Sequence, residues 1–338
     1  NQVFQNLRFQ SIAYRDIYAE YKKDRLSAPL NSLFNEIHLL EFLADYYFSI
    51  DKTIGSEIAN LLKEHQWHSI FQCHPTEISF LHIACKEKKT NIIEFLIENH
   101  VTSYIDFPFT AGLKSVLHLL IENDDCPLSL IQHVYTFLDQ NDLNRMDLDE
   151  KTPLATACLN GRLDVAMWLL SIGSAKLLST KDLYLRTPLM DAIQSKNIQL
   201  VQYLLDLDLG TLIHDKDKLG YSPLSLACET GSLELVKLLL AHQAVHLIES
   251  EASFKLSPLV VGCKNGNLRL LTLLIEAGVK LPRDPEKQTF LIGAAIDSKK
   301  YELIEFLYSL GIEIPEVFFH RLPHRLFEIL KAKSKNPD

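Results

Sequence analysis

The sequence has no long apolar run and contains little glycine or proline. No stretch reaches the roughly 18 uninterrupted apolar residues that a membrane-spanning helix needs, and no basic flank followed by an apolar run marks a secretion signal. Only 12 Gly and 13 Pro occur in 338 residues, of which 47% are hydrophobic. A core can therefore be buried, and the length fits one elongated solenoid or two to three compact domains.

Motifs of common catalytic sites are also absent. The sequence has no Gly-rich phosphate loop and no G-x-S-x-G elbow. Its six cysteines are spread thinly, unlike those of small disulfide-stapled secreted domains, and suit a reducing cytoplasm. A net charge of −9 opposes nonspecific attraction to nucleic acid or anionic lipid. We expect a cytoplasmic, monomeric protein that is not an enzyme, with no cofactor, no metal, no nucleic-acid partner and no membrane span.

One internal period organises most of the chain. Short signatures beginning with a hydroxyl residue recur at intervals of 35 residues, at Thr152-Pro153-Leu154, Thr187-Pro188-Leu189, Ser222-Pro223-Leu224 and Ser257-Pro258-Leu259. The same phase extends outward to Ser79, Ser115 and Thr289. A fixed period of this length is the mark of a repeat architecture. We therefore count seven repeats and number them in chain order.

Each repeat is predicted to be a helix, a turn and a second helix. A hydroxyl side chain can cap a helix, and Pro is favoured at the first helical position, so a helix should begin at each signature. A second apolar pattern follows about ten residues later, with Gly161 or Gly231 before it. Gly173, Gly278 and Gly311 follow second helices, where a left-handed cap is expected. Leu170 and Leu205 are expected to be packing residues.

These signatures resemble the T-P-L-H-x-A motif of the ankyrin family, in which a β-turn and two helices form each repeat. The sequence departs from that pattern in places: the signature His is present only as His82 and His118, and Lys88 and Lys196 stand where the inter-helix Gly is usual. The resemblance implies an all-α ankyrin-repeat solenoid, built from helix-turn-helix repeats with short finger loops. Its expected function is that of a protein-protein interaction scaffold.

The segments outside the repeats have helical periodicity without the signature. We predict an N-terminal helical segment or cap at 1–72, an ankyrin repeat domain of about seven repeats at 73–316, and a C-terminal helical cap at 317–338. Residues 34–67 faintly resemble an F-box, although the usual Leu-Pro start is absent. Two alternatives therefore remain: a ubiquitin-ligase substrate adaptor, or an enzyme whose site lies in residues 1–72.

Three groups of residues could support other chemistry. Cys85, Cys158, Cys228 and Cys263 share one repeat position, which predicts small buried side chains instead of reactive thiols. Potential zinc ligands cluster between His65 and Cys85, but their spacing matches no familiar finger. The C-terminal tail is basic, which indicates either a solvated cap or a phosphate-binding patch. Its basic residues are His320, Arg321, His324, Arg325, Lys331, Lys333 and Lys335.

The ankyrin resemblance places a partner-binding site on the concave face of the stack, which is lined by the finger tips and the exposed ends of the first helices. Tyr, Phe and Arg are enriched in interface cores, so Tyr184, Arg186, Tyr221 and Phe254 are the strongest candidates. The full predicted partner-binding set is Asp149, Lys151, Tyr184, Arg186, Lys218, Tyr221, Phe254 and Lys264. Leu183 and Leu219 map onto the same finger tips.

The composition of the repeats suggests one kind of partner. Diverged, Lys- and Ile-rich repeats resemble ankyrin proteins that intracellular bacteria deliver into host cells. The resemblance implies a eukaryotic host protein as the partner and the host cytoplasm as the place of action.

Overall fold

The computed structural model describes part of the chain. The described residues are 84–85, 88–90, 93–94, 97, 114–138, 140–207, 211–242, 254–324 and 327–328. The chain divides into two compact units, Asn1–Leu148 and Asp149–Asp338, here called the N-terminal and C-terminal units. The predicted N-terminal segment 1–72, with its F-box-like stretch, lies outside the described residues.

The described part of the N-terminal unit contains the second repeat. Helix α1 spans Val116–Ile121, α2 spans Leu128–Tyr135, and a 3-10 helix follows at Gln140–Asn144. Helix α1 begins at the predicted signature. Ser115 Oγ accepts from the His118 backbone N–H, and the His118 ring accepts from the Ser115 backbone N–H in return. The signature His thus closes a reciprocal cap at the helix start.

The C-terminal unit contains repeats three to seven as paired helices. Its first helices are α3 (Pro153–Leu159), α5 (Pro188–Ser195), α7 (Pro223–Thr230), α9 (Pro258–Asn265) and α11 (Pro285–Asp297). Its second helices are α4 (Leu163–Ile172), α6 (Ile198–Leu207), α8 (Leu233–Ala241), α10 (Leu268–Glu276) and α12 (Tyr301–Ser309). Short 3-10 helices lie at Ala175–Ser179, Leu212–His214, Phe254–Leu256 and Glu316–Arg321.

Four of these first helices begin where the sequence predicted. Thr152, Thr187, Ser222 and Ser257 each accept a hydrogen bond from the backbone N–H three residues later, at 3.2–3.4 Å. Each is followed by Pro at the first helical position, where its missing N–H is not needed. The hydroxyl-Pro signature is therefore a true helix start in repeats three to six.

The seventh repeat starts earlier than its signature indicated. Helix α11 begins at Pro285, and Asp284 caps it by accepting from the Glu286 backbone N–H at 2.8 Å. Thr289 lies inside the helix, where its hydroxyl donates to the Pro285 carbonyl at 2.8 Å. The prediction of a start at Thr289 was wrong, because Asp284-Pro285 is itself a strong cap and first-turn pair.

In repeats three to seven, the turns between paired helices use left-handed backbone whether the residue is Gly or Lys. Lys196 has φ +61° at the position where the fifth and sixth repeats have Gly231 (φ +72°) and Gly266 (φ +76°). Gly173, predicted to be left-handed, is extended instead, with φ −97° and ψ −176°. The position needs glycine for lack of space and not for its backbone conformation, since a Cβ there would lie 2.6 Å from Leu177 Cδ1.

Consecutive repeats of the C-terminal unit pack helix on helix. Helices α3, α5, α7, α9 and α11 each contact the next in this order, and α4, α6, α8 and α10 form the second layer in the same way. Leu205 is buried, as predicted, whereas Leu170 is half-buried and its neighbour Leu169 holds the buried position. The predicted all-α repeat fold is confirmed. None of the described helices is long and apolar enough to cross a membrane.

The last 3-10 helix of the C-terminal unit contacts helix α11. A Cβ added at Gly293 of α11 would lie 3.3 Å from the Phe318 ring, so this ring packs against the helix. Arg321 forms an ion pair with Asp297, the last residue of α11, at 2.6 Å. These contacts join the last described 3-10 helix to α11, and the C-terminal helical cap at 317–338 stays a prediction.

Candidate functional site

The finger of repeat four is a tight turn organised by one aspartate. The Asp182 backbone N–H donates to the Arg186 carbonyl at 3.0 Å, which closes the turn. Asp182 Oδ1 accepts from the backbone N–H groups of Tyr184 and Arg186 at 2.9 and 2.8 Å. Leu185 at the tip has φ +59°. The buried carboxylate therefore fixes the turn from inside and leaves its tip side chains outside.

The finger of repeat five repeats this geometry 35 residues later. The Asp217 backbone N–H donates to the Tyr221 carbonyl at 3.0 Å, and Asp217 Oδ1 accepts from Leu219 and Tyr221 at 3.0 and 2.8 Å. Gly220, with φ +99°, takes the place of Leu185. The two fingers are thus the same local structure with different tip side chains.

Backbone hydrogen bonds join successive fingers of the C-terminal unit. The Leu183 N–H donates to the Asp149 carbonyl at 2.8 Å, and the Lys218 N–H donates to the Tyr184 carbonyl at 2.7 Å. Because both bonds lie at the same place in the repeat, they set a constant spacing between neighbouring tips. Side chains on adjacent fingers can therefore contact one ligand together.

The tips of these two fingers expose large apolar side chains, which we call the finger-tip surface: Leu183, Tyr184, Leu185 and Leu219. Tyr184 is 50% exposed and Leu219 is 68% exposed. Both residues belong to turns that are closed by hydrogen bonds of the backbone and of an aspartate. The turns therefore do not need the Tyr184 and Leu219 side chains in order to form. Exposed apolar side chains grouped on neighbouring turns are typical of an interaction site.

The structure separates the predicted partner-binding residues by exposure. Asp149, Tyr184, Lys218 and Lys264 are exposed, while Arg186, Tyr221 and Phe254 are half-buried. Lys151 keeps only 14% of its side chain exposed. The predicted set as a whole therefore does not form one uniform exposed face.

Neighbouring side chains contact Arg186 and shift the pKa of Tyr221. The Arg186 Nη1 donates to Gln194 Oε1 at 3.1 Å, and its Nε lies 3.5 Å from Asp217 Oδ2, an ion-pair distance too long for a good hydrogen bond. Partial burial raises the pKa of the Tyr221 hydroxyl, and Glu229 and Asp217 raise it further, against a smaller opposite effect of Arg186. The contacts of Arg186 join the finger of repeat four to helix α5 and to the finger of repeat five.

Phe254 takes part in a crossed contact between repeats six and seven. The Lys287 ammonium lies 5.6 Å from the Phe254 ring centroid, and the Lys255 ammonium lies 4.6 Å from the Phe290 ring centroid. An ammonium group over an aromatic face is attracted to the ring. Phe254 is thus engaged within the unit, on a 3-10 helix and not on a turn like that of Asp182.

Lys151 lies in a charge cluster beneath the finger of repeat four. Its ammonium donates to Asp182 Oδ2 at 2.7 Å and to the two carboxylate oxygens of Asp191 at 3.2 and 3.1 Å. The aspartate side chains are each 1% exposed. Burial acts to lower the pKa of Lys151, but Asp191 and Asp182 together outweigh it, so the pKa is raised.

The recurrence of cysteine at one repeat position reflects packing. Cys85, Cys158, Cys228 and Cys263 are all buried, which confirms the sequence prediction. Burial raises the pKa of the Cys85 and Cys158 thiols well above the usual value and that of Cys263 to about 12. Such thiols are poor nucleophiles at neutral pH because the thiolate is the reactive form.

The remaining predicted sites are only partly described. No group of three or more His, Cys, Asp or Glu is placed to hold a metal within the described ranges. The possible zinc ligands from His65 to His82 lie outside those ranges. In the basic tail, Arg321 is paired with Asp297, and the positions from Lys331 onward are not described.

Sequence reasoning missed two features of the site. Leu185 was not among the predicted residues, although alignment at 35 residues pairs it with Gly220 and so places it on the turn. The same alignment pairs Asp191 with Thr156, Leu226 and Val261, which are buried and uncharged. A charged residue at a buried position was therefore visible as an exception to the repeat pattern.

Comparison with known families agrees with this geometry. A family model described as ankyrin repeats (3 copies) matches residues 112–217 and 224–316, which is more than half of the chain. A search of curated proteins finds no match. Ankyrin repeats typically serve as interaction modules without catalysis. With its capped helix pairs, its hydrogen-bonded fingers and this family match, the chain belongs to the ankyrin-repeat family.

Proposed function

We propose that this protein is a non-catalytic scaffold that binds a protein partner through the finger-tip surface, together with the exposed ends of the neighbouring first helices. The observation that carries this proposal is the exposure of Leu183, Tyr184, Leu185 and Leu219 on turns that are complete without them. Apolar and aromatic side chains held on a rigid backbone lose little conformational freedom on binding.

The fingers are suited to binding because the stack fixes them. Asp182 and Asp217 each hold two backbone N–H groups of their own turn, and the Tyr184 carbonyl accepts from the next finger. A partner would thus meet a pre-formed surface. Exposed Lys218 lies beside Leu219, so a charged rim borders the apolar tips, as in many protein interfaces.

A matched pair of double variants tests the proposal. Tyr184→Ala with Leu219→Ala removes the centre of the finger-tip surface. Met167→Ala with Leu207→Ala removes two side chains that are each 45% exposed but lie on the second helices α4 and α6. We expect the first variant to lose capture of partners from a eukaryotic lysate and the second to retain it.

Thermal unfolding of both variants provides the control for folding, because all four side chains are exposed and their truncation should change stability little. Retained capture by the Tyr184 and Leu219 variant would contradict the proposal. The choice of a eukaryotic lysate also tests the prediction that the partner is a host protein.

A further inference from the structure

The Lys151, Asp182 and Asp191 cluster joins two repeats at a place where the neighbouring repeats use other side chains. Asp191 is on α5, and its equivalents Thr156, Leu226 and Val261 are buried and uncharged. Lys151 precedes α3, and its equivalents are Arg186, Tyr221 and Leu256. A buried carboxylate at this position does not serve the common repeat fold, since the other repeats pack without one.

The two carboxylates of the cluster differ in how they are satisfied. Asp182 accepts from Lys151 through Oδ2 and from the Tyr184 and Arg186 backbone through Oδ1. Among the described residues, the hydrogen bonds to the Asp191 carboxylate come from Lys151. One ammonium therefore faces two buried carboxylates, and Asp191 is the less well satisfied of the two.

We propose that Lys151 and Asp191 form a proton-responsive clamp, which sets how firmly the finger carrying Leu183, Tyr184 and Leu185 is held on the stack. With Asp191 ionised, the cluster contains an excess buried negative charge, and opening of the finger hydrates it. With Asp191 protonated, that excess is removed and Lys151 is engaged by Asp182. Acidification then holds the finger more firmly closed.

The pKa of Asp191 agrees with tighter closure of the finger at acidic pH. Burial raises the pKa of Asp191 from 3.8 to about 6, although Lys151 and Arg186 act to lower it and Asp182 acts to raise it. The elements packed on α5 carry other titratable groups. Two are the buried thiols of Cys158 on α3 and Cys228 on α7, and two are the exposed carboxylates of Asp206 on α6 and Glu229 on α7. The others are Tyr203 on α6 and Lys176 on the 3-10 helix Ala175–Ser179. The Asp191 carboxyl therefore binds a proton more tightly when the finger is closed than when the finger is open and the carboxyl is hydrated.

The sign of the pH dependence follows from the difference between the pKa of Asp191 in the closed finger and its pKa in the open finger. A carboxyl group whose pKa is higher in the closed state stabilises that state once it is protonated. This stabilisation is complete below pH 3.8 and is lost as the pH rises through about 6. The clamp therefore loosens between mildly acidic and neutral pH.

Hydrogen exchange of backbone amides on the full chain tests the clamp directly. The reporters are the Tyr184 and Arg186 amides, which donate to Asp182, and the matched controls are the Leu219 and Tyr221 amides, which donate to Asp217 in the same turn geometry. The control finger belongs to the repeat with Leu226 in place of Asp191. After correction for intrinsic exchange, we expect protection of the reporters to rise about tenfold from pH 7.5 to pH 5, with the controls nearly constant.

Two variants make the comparison specific to Asp191. Asp191→Leu copies the fifth repeat, and Asp191→Asn keeps the shape of the side chain without its titration. Either should abolish the pH dependence of the reporters. Equal pH dependence in both fingers of the unmodified protein, or a rise in protection that persists in either variant, would overturn the proposal. The two-finger comparison needs no variant, and the outcome does not depend on whether the finger binds a partner.

Discussion

Asp191 shows how much one side chain can depart from its repeat. The period of 35 residues predicts a buried, uncharged side chain at this position, and Thr156, Leu226 and Val261 follow that rule. The partner of Asp191 could not be read from the sequence, because Lys151 is 40 residues away and was placed on the binding face by its position in the finger. Distance along a chain does not show which side chains the packing brings together.

Removal of Lys151 should destabilise the protein much more than removal of its counterpart in the next finger. Lys151→Met leaves the buried Asp182 and Asp191 without their cation, which we expect to cost about 3 kcal/mol. Arg186→Met breaks a longer pair, at 3.5 Å, with a single carboxylate that also accepts from two backbone N–H groups, and should cost about 1 kcal/mol or less. Chemical denaturation at pH 7.5 measures both free energies of unfolding.

The double variant Lys151→Met with Asp191→Leu is the control for this comparison. It removes the orphaned charge together with its partner and should recover part of the lost stability. A cost for Lys151→Met no larger than that for Arg186→Met would show that the cluster does not stabilise the fold as described.

Helix starts and inter-helix turns were the most predictable elements. The hydroxyl-Pro signature located α3, α5, α7 and α9, because the cap and the fixed torsion of Pro act locally. It failed at α11, where Asp284-Pro285 offered a competing local start. The tip conformation at Leu185 could be found only by alignment with Gly220, since Leu has no preference for positive φ.

Lys196 allows the strain of the left-handed turn between α5 and α6 to be measured. It adopts φ +61° in a turn where other repeats have Gly, and a residue with a side chain is strained in that region. Lys196 is exposed, so its replacement removes little packing. We expect Lys196→Gly to raise the free energy of unfolding by about 0.5–1 kcal/mol, measured by chemical denaturation.

The reciprocal change is the control for that test. Gly231 has φ +72°, and a Cβ there would lie 3.1 Å from Asn265 Oδ1. Gly231→Ala should therefore destabilise by roughly 1 kcal/mol or more. A loss of stability in Lys196→Gly would mean that the lysine makes a contribution that outweighs its backbone strain.

At the scale of the molecule, the period predicted a repeat architecture, and the ankyrin resemblance predicted its all-α fold and the general place of the candidate site. Repeated signatures require that each helix pair pack on its neighbours, and the fingers then project from the stack. The identity of the exposed residues needed the structure: Tyr184 and Leu219 are at the tips, whereas Lys151 is turned into the stack and Phe254 contacts Lys287. Side-chain direction depends on contacts between repeats, which a pattern of residue types does not contain.

The proposed function requires that partners bind at the finger tips of repeats four and five. Site-specific photo-crosslinking tests it directly, with a photoreactive phenylalanine analogue in place of Tyr184 in one protein and in place of Met167 in another. Both positions are similarly exposed, at 50% and 45%. We predict that the captured partner crosslinks from position 184 and not from position 167, and crosslinking from position 167 alone would contradict the account.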